Sequence, residues 1–208
     1  MTPEWREITK AVFETGAWRN LRYCGVRIGQ FPLDLWRIQE TIEELKPALI
    51  IEYGTQAGGS ALSYAHAMDR NNFGRIVTIE KTDRHTPPVH PRITYLKGRT
   101  LDEAIKVRIE AEAKESAKLG HVMLIEDSSH RHRHVLAELR EYWRLVTVGS
   151  YFLVEDGALD HVMGWLRGYG PYRAVHDFLK ECPNFQVDES KEAFGVTFWP
   201  SGWLKRIK

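Results

Sequence analysis

At 208 residues, with 43% hydrophobic and 27% charged side chains and a formal net charge of +1, the chain suffices for one α/β domain with a buried sheet and is short for two. The near-neutral balance excludes a globally basic face for a nucleic-acid backbone and an acidic tail, and leaves a small molecule or a glycan as the expected partner. No apolar run approaches the roughly 18 residues of a membrane span, "MTPEWREITK" has no signal core, and the two cysteines, Cys24 and Cys182, lack metal spacing, so a soluble cytoplasmic protein with reduced thiols is expected.

In chain order, residues 1–34 read as an N-terminal extension, and residues 35–208 as a single unit without repeats, low-complexity tracts or linkers. Short apolar runs rich in Val, Ile and Phe then alternate with helical patterns. The runs are "ALIIEY", "RIVTIE", "RITYLK", "HVMLIED", "SYFLVED", "FQV" and "FGVTFW"; helical spacing appears in "GSALSYAHAMDR", "TLDEAIKVRIEAEAKESAK", "RHVLAELREYWRLV" and "YRAVHDFLKEC". This alternation predicts an α/β fold, a doubly wound, mostly parallel seven-stranded sheet of Rossmann-like type. The last two runs, joined across Asp188–Ala193, read as a closing antiparallel hairpin. Such sheets bind ligands at the carboxyl ends of their strands, so those ends carry the chemistry.

The first such end is "IIEYGTQAGGSALSYA". Glu52 closes the strand, Gly54, Gly58 and Gly59 allow a tight turn with close backbone approach, and Ser60 is placed to cap the next helix. The spacing is G-x-x-x-G-G, not the dinucleotide G-x-G-x-x-G, and no phosphate-loop lysine follows. Glu80 ends the next strand about twenty residues on, where an acid can take both ribose hydroxyls. A nucleoside with an amino-acid tail fits both features; a plain strand–helix turn with a solvated Glu80 is the competing reading. The second cluster is acidic: Glu126 and Asp127 end one strand, Glu155 and Asp156 the next, and neighbouring parallel strands bring these ends together. Clustered carboxylates repel unless a cation joins them, and oxygen ligands favour Mg²⁺; helix capping could explain Asp127 or Asp156 alone but explains the whole set poorly. Among the nearby histidines, His121 opens a strand at the far end of the sheet, and His132 and His134 point to different helix faces. His130, three residues after Asp127, suits a general base over the metal; a surface role at a helix start competes on equal terms.

"FPLDLWRIQETIEELKPALIIEYGTQAGGSAL", "HPRITYLKGRTLDE", "IEDSSHRHRHVLAELREYWRLVTVGSYFLVEDG", "GPYRAVHDFLKE" and "FGVTFWPSGWLKR" together resemble the cephalosporin hydroxylase family, from about Gly29 to the C-terminus. That family is similar to class I S-adenosylmethionine-dependent methyltransferases, including Mg²⁺-dependent rhamnosyl and macrolide-sugar O-methyltransferases. The resemblance implies that Glu52, Gly54 and the turn after it (Thr55, Gln56, Gly58 and Ser60) hold the methionine part of the cofactor. Glu80 would hold its ribose, and Gly98, Arg99 and Thr100 would lie beside the adenine. Asp127, Glu155 and Asp156 match the metal ligands, His130 matches the base, and Asp127 stands in the catalytic and cofactor sets as well. Two departures are an acid replaced by Ser129 and a smaller residue replaced by Tyr53. Met1–Gln30, with Trp5, Trp18 and Tyr23, matches weakly and is expected to cover the core, form a lid over the acceptor or make a homo-oligomer contact. Acceptor choice is expected there and in Ala158–Arg173, where Gly164, Gly168 and Gly170 suggest mobility and Trp165 and Tyr169 suit ring stacking or packing. The implied activity is Mg²⁺-dependent O-methylation of a sugar, glycoside or small natural-product hydroxyl; a non-catalytic cofactor-binding protein and a nicotinamide-dependent oxidoreductase are the alternatives.

Overall fold

Leu49–Tyr53 is buried along its whole length, as a central strand covered on both faces must be (β3). Around it the computed structural model, which describes residues 2–163, 168–192 and 194–208, builds the doubly wound sheet that the alternation predicts. A small hairpin of β1 (Arg22–Tyr23) and β2 (Val26–Arg27) precedes it. β4 (Arg75–Glu80) and β5 (Ile93–Lys97) extend the sheet parallel on one side of β3, and β6 (Val122–Glu126) and β7 (Tyr151–Val154) extend it parallel on the other. Beyond β7 the direction reverses: β9 (Trp203–Arg206) and β8 (Phe185–Val187) are antiparallel, giving the order β5-β4-β3-β6-β7-β9-β8.

Alternate residues of each strand feed two cores. Ile50, Ile76, Met123 and Leu153 meet α1 (Pro3–Glu14), α2 (Pro32–Leu45) and α3 (Gly59–Asn71) on one face. Ile51, Val77, Leu124 and Phe152 meet α4 (Glu103–Ser116), α5 (His132–Tyr142) and α7 (Pro171–Glu181) on the other. Ile38 and Ile42, one turn apart on α2, are both 0% exposed. Burying each contributes roughly 1.5–3 kcal/mol, so α2 is fastened to the sheet by its apolar stripe.

One predicted element is misplaced. "FGVTFW" does not form the final strand; β9 lies further on, at Trp203–Arg206, and Ala193 in the expected turn lies outside the described residues. The cause is a buried acid on α2. Asp34 accepts the Phe198 N–H at 2.7 Å and the Thr197 hydroxyl at 2.6 Å, while the Trp199 N–H goes to Thr197 Oγ1 at 2.9 Å. These donors are turned to side chains, so the segment cannot extend a ladder despite its strand-like composition. The boundary read at residues 34 and 35 falls within the first turn of α2. Upstream, α1 packs on α6 (Leu159–Val162), with Trp5 edge-on to His161, and Tyr23 of the hairpin bonds to His66 on α3 at 3.2 Å. No helix among the described residues is long and apolar enough to cross a membrane.

Candidate active site

The carboxyl ends of β3, β4, β6 and β7 open into a cavity of about 760 Å³. Its polar lining includes Glu80, Asp127, His130, Glu155 and Asp156, and its apolar wall includes Val12, Phe13, Trp18, Leu21, Phe31 and Met163. Gly54, Thr55, Gln56 and Ser60 line it as well, whereas Glu52, Gly58 and Gly98–Thr100 do not.

The turn after β3 is shaped by two close approaches. Gly54 has φ +104°, and a Cβ there would come within 2.1 Å of the Asp127 carbonyl oxygen, so the glycine lets the loop after β6 lie directly against the turn. A Cβ on Gly59 would meet the Arg27 carbonyl at 2.3 Å, which is how the N-terminal hairpin reaches the start of α3. Gln56, at φ +48°, points its N–H to Glu80 Oε2 at 3.1 Å, and the other Glu80 oxygen accepts the Thr82 N–H at 3.0 Å. Glu80 is therefore held at the cavity edge by backbone donors.

Glu52 is 1% exposed. Thr78 donates to its Oε2, and Oε1 is buried without a hydrogen-bond partner among the described residues. Burial pushes its carboxyl up to about 7, against the pull of Ser60 and Thr78. A buried carboxylate oxygen with no donor at hydrogen-bond distance is a group that an ammonium suits; Glu52 itself does not line the cavity, and Ser60, which does, is the neighbour that draws on its carboxyl.

Asp127 continues the β6 ladder by donating its N–H to Tyr53 O at 2.9 Å. Asp156 turns out of β7 with φ +58°, an uncommon conformation for a non-glycine residue and one that clusters at functional sites. Ligand atoms of Asp127, His130 and Asp156 lie within 4.8 Å of one another, with His130 Nε2 at 3.6 Å from Asp156 Oδ2. Burial first, then the neighbouring Asp156, raises the Asp127 carboxyl well above its ordinary range. Burial raises Asp156 as well, opposed by His130. Asp127 and Asp156, two acids raised in one pocket, stand with one imidazole, and two carboxylates with an imidazole form a donor set that a divalent cation accepts.

Glu155, expected in that set, is 2% exposed and points to other partners. Its carboxylate accepts from Gln30 Nε2 at 2.8 and 3.1 Å. Gly98–Thr100 lies across a second buried network. Thr100 donates to Glu138, a 0% exposed acid on α5 that also lies 3.2 Å from His134 Nε2 and 3.0 Å from Ser128 Oγ. Glu126 accepts the Ser128 N–H at 3.0 Å, and burial followed by the charge of Glu138 raises its carboxyl. This network links the Gly98–Thr100 loop to the loop after β6 that carries Asp127 and Ser128. Sequence reasoning missed Glu138, although an acid inside the stripe Val135, Leu139 and Tyr142 is a legible anomaly. It also missed Gln30, which no pattern marks.

Of the other histidines between residues 121 and 134, His121 bonds to Thr147 at 3.1 Å and His132 to Asp177 at 3.0 Å. Ser129 turns its N–H to Glu126 at 3.4 Å, and Tyr53 is buried against Tyr142 and Phe152. In the segment after β7, Asp160 caps the start of α7 by accepting the Gly170 and Arg173 N–H groups. Tyr169 is exposed and sits edge-on to His132; Gly164 and Trp165 lie outside the described residues.

The family model described as Rhamnosyl O-methyltransferase/CmcI matches residues 15–207. A rhamnosyl O-methyltransferase of Mycobacterium bovis is 32% identical over 196 residues, 91% of this chain and 79% of its own. In fold, the chain is similar to an apo structure of CmcI, with a TM-score of 0.71 and 18% identity over 91% of this chain and 77% of that one. A CmcI structure with Mg and SAM gives a TM-score of 0.69 at 18% identity, covering 91% and 78%.

Proposed function

The chain belongs to the Rhamnosyl O-methyltransferase/CmcI family, and from that membership we propose that it transfers a methyl group from S-adenosylmethionine to a hydroxyl of a sugar, glycoside or other small natural product, with a divalent cation such as Mg²⁺. The observation that carries this reading is the meeting of Asp127, His130 and Asp156 within 4.8 Å, in the same cavity as the Gly54 turn and Glu80. The names of the relatives and the Mg and SAM of one CmcI structure support the cofactor pair.

In this reading Glu52, with its orphaned oxygen, takes the ammonium of the methionine tail, and the turn of Gly54, Thr55, Gln56, Gly58 and Ser60 packs along it. Glu80 takes the ribose hydroxyls, and Gly98, Arg99 and Thr100 border the adenine. Asp127 and Asp156 hold the cation, with Glu155 or His130 completing the protein's share. When bound, the cation supplies Lewis acidity that lowers the pKa of an acceptor hydroxyl. His130 receives the hydroxyl proton, the oxygen takes the methyl group as its bond to sulfur breaks, and the sulfonium leaves as a neutral thioether. The chain's main contribution is to orient the two reactants and keep water out. The apolar wall from residues 12–31 suits the non-sugar part of a glycoside, which gives residues 1–34 a role in acceptor choice and residues 35–208 the role of the methyltransferase domain.

The test is metal removal. EDTA should abolish transfer of labelled methyl to any acceptor found in a panel of sugars, glycosides and catechols. Added Mg²⁺ should restore it, and calorimetry should show S-adenosylhomocysteine binding in both conditions. Equal turnover in EDTA and Mg²⁺ would overturn the metal-assisted mechanism.

A further inference from the structure

Arg27 ends the small β1–β2 hairpin, outside every motif to which the sequence assigns chemistry. It is half-buried and lines the cavity. The hairpin around it is fastened twice: Tyr23 bonds to His66 on α3 at 3.2 Å, and the Ile28 N–H donates to Leu21 O at 3.1 Å. The Arg27 carbonyl lies against Gly59, the residue before Ser60, so Arg27 is held beside the turn that joins β3 to α3. Arg70, Arg75 and Arg92 each stand within 2.6 Å of a carboxylate oxygen on another element. Arg27 meets no such acid among the described residues, and its Nε is buried there without a hydrogen-bond partner.

A guanidinium has no neutral form to retreat to, so a half-buried one without an acid calls for an anion brought by a ligand. The carboxylates that line the cavity stand at the ends of other strands: Glu80 at β4, Asp127 at β6, and Glu155 and Asp156 at β7. At the end of β3, against which the Arg27 backbone lies, the lining is Gly54, Thr55, Gly59 and Ser60. There α3 begins without a side-chain cap, so its first N–H groups also favour negative charge. We propose that Arg27 is a cofactor-binding residue, whose guanidinium receives the carboxylate of the methionine tail of S-adenosylmethionine. This rests on the S-adenosylmethionine-dependent reading given above. The planar fork of an arginine matches the two oxygens of a carboxylate, and in a cavity otherwise lined with acids that carboxylate needs a cation of its own. Lys81 and Arg84 line the cavity too, but they follow Glu80 at the end of β4, the strand read as holding the ribose, and both are exposed. The N-terminal hairpin thereby enters the cofactor site, beyond its share of the acceptor wall.

The experiment is calorimetry of the full chain with two probes: S-adenosylhomocysteine, which carries the amino-acid tail, and 5′-methylthioadenosine, which keeps the nucleoside and the sulfur without it. Arg27→Gln should bind S-adenosylhomocysteine about 10–100-fold more weakly, the usual effect of losing a charged hydrogen bond, and should bind 5′-methylthioadenosine as the wild type does. Arg27→Lys keeps the charge and loses the fork, so it should fall between the two on the first probe and match both on the second. Arg84→Gln should leave the ratio of the two affinities unchanged. A role in folding alone would weaken both probes together. That outcome, an unchanged S-adenosylhomocysteine affinity in Arg27→Gln, or a tail-specific loss in Arg84→Gln instead, would overturn the assignment. An unchanged cofactor affinity with a raised KM for acidic acceptors would overturn it as well, and give Arg27 to an anion of the acceptor. A wild-type chain that binds neither probe would fail the S-adenosylmethionine reading itself, and this proposal with it.

Discussion

His130 lies close enough to Asp156 to serve either as a metal ligand or as a base, and substitution separates the two. If it removes the acceptor's proton, His130→Ala should cost on the order of 10²–10⁴ in turnover while Mg²⁺ and cofactor affinities stay at wild-type values. Part of the rate should return at high pH, where the hydroxyl ionises without help. A parallel fall in Mg²⁺ affinity, read by calorimetry, would make His130 a ligand. Asp127 behaves differently because its carboxyl is raised by burial and by Asp156, Glu52 and Glu80. Asp127→Asn keeps the shape and removes one of these charges, so near pH 8 the apo variant should melt at or above the wild-type temperature while its Mg²⁺ affinity collapses. A clear loss of apo stability in thermal melts would show that the charge is compensated by contacts other than a cation.

At the scale of elements, Asp34 ties α2 to the segment before β9. Burial lifts its carboxyl to about 7, against the hydrogen bonds from Thr197 and Phe198. Between its ordinary value of 3.8 and about 7, the folded protein keeps a proton that the unfolded chain releases. Stability therefore falls as pH rises across that window and the loss levels off above it. Asp34→Asn should flatten the decline, measured as the difference between variant and wild type in urea unfolding at a series of pH values. Glu52, raised in the same direction, contributes to both proteins and cancels in the difference. Asp34→Ala should instead cost about 2 kcal/mol, because it leaves the Phe198 N–H buried without an acceptor. An unchanged urea midpoint would mean that the segment is held by Phe198 and Trp199 packing alone.

For the whole molecule, the cavity joins strand ends from the centre of the sheet to an apolar wall drawn mostly from residues 12–31, with Met163. A ligand that fills it stabilises the folded state alone. S-Adenosylhomocysteine at about 100 times its dissociation constant should add about 2.7 kcal/mol and raise the melting temperature by roughly 5–10 °C. NAD at the same concentration should leave the melting curve in place, since the Gly54–Gly59 turn lacks the spacing that receives a pyrophosphate. Stabilisation by NAD and not by S-adenosylhomocysteine would reverse the cofactor assignment.

Local pattern by itself determined the parallel core and its strand ends. An apolar run of strand length between two helical stripes has one stable disposal, a covered strand, and its carboxyl end is then a predictable place for Glu52, Glu80, Asp127 and Asp156. The acid of Glu138 was legible as a charge in an apolar stripe, though its partners were not. Tertiary structure decided what depends on contacts distant in sequence. Asp34 claims the Phe198 N–H from 164 positions away, so β9 forms later than composition suggests. Gln30 meets Glu155 across 125 positions, and a single amide in a polar, irregular stretch has no periodicity to announce it. Patterning reports which face a residue turns to its own element's core; which side chain from elsewhere arrives there is set by the packing of the finished fold.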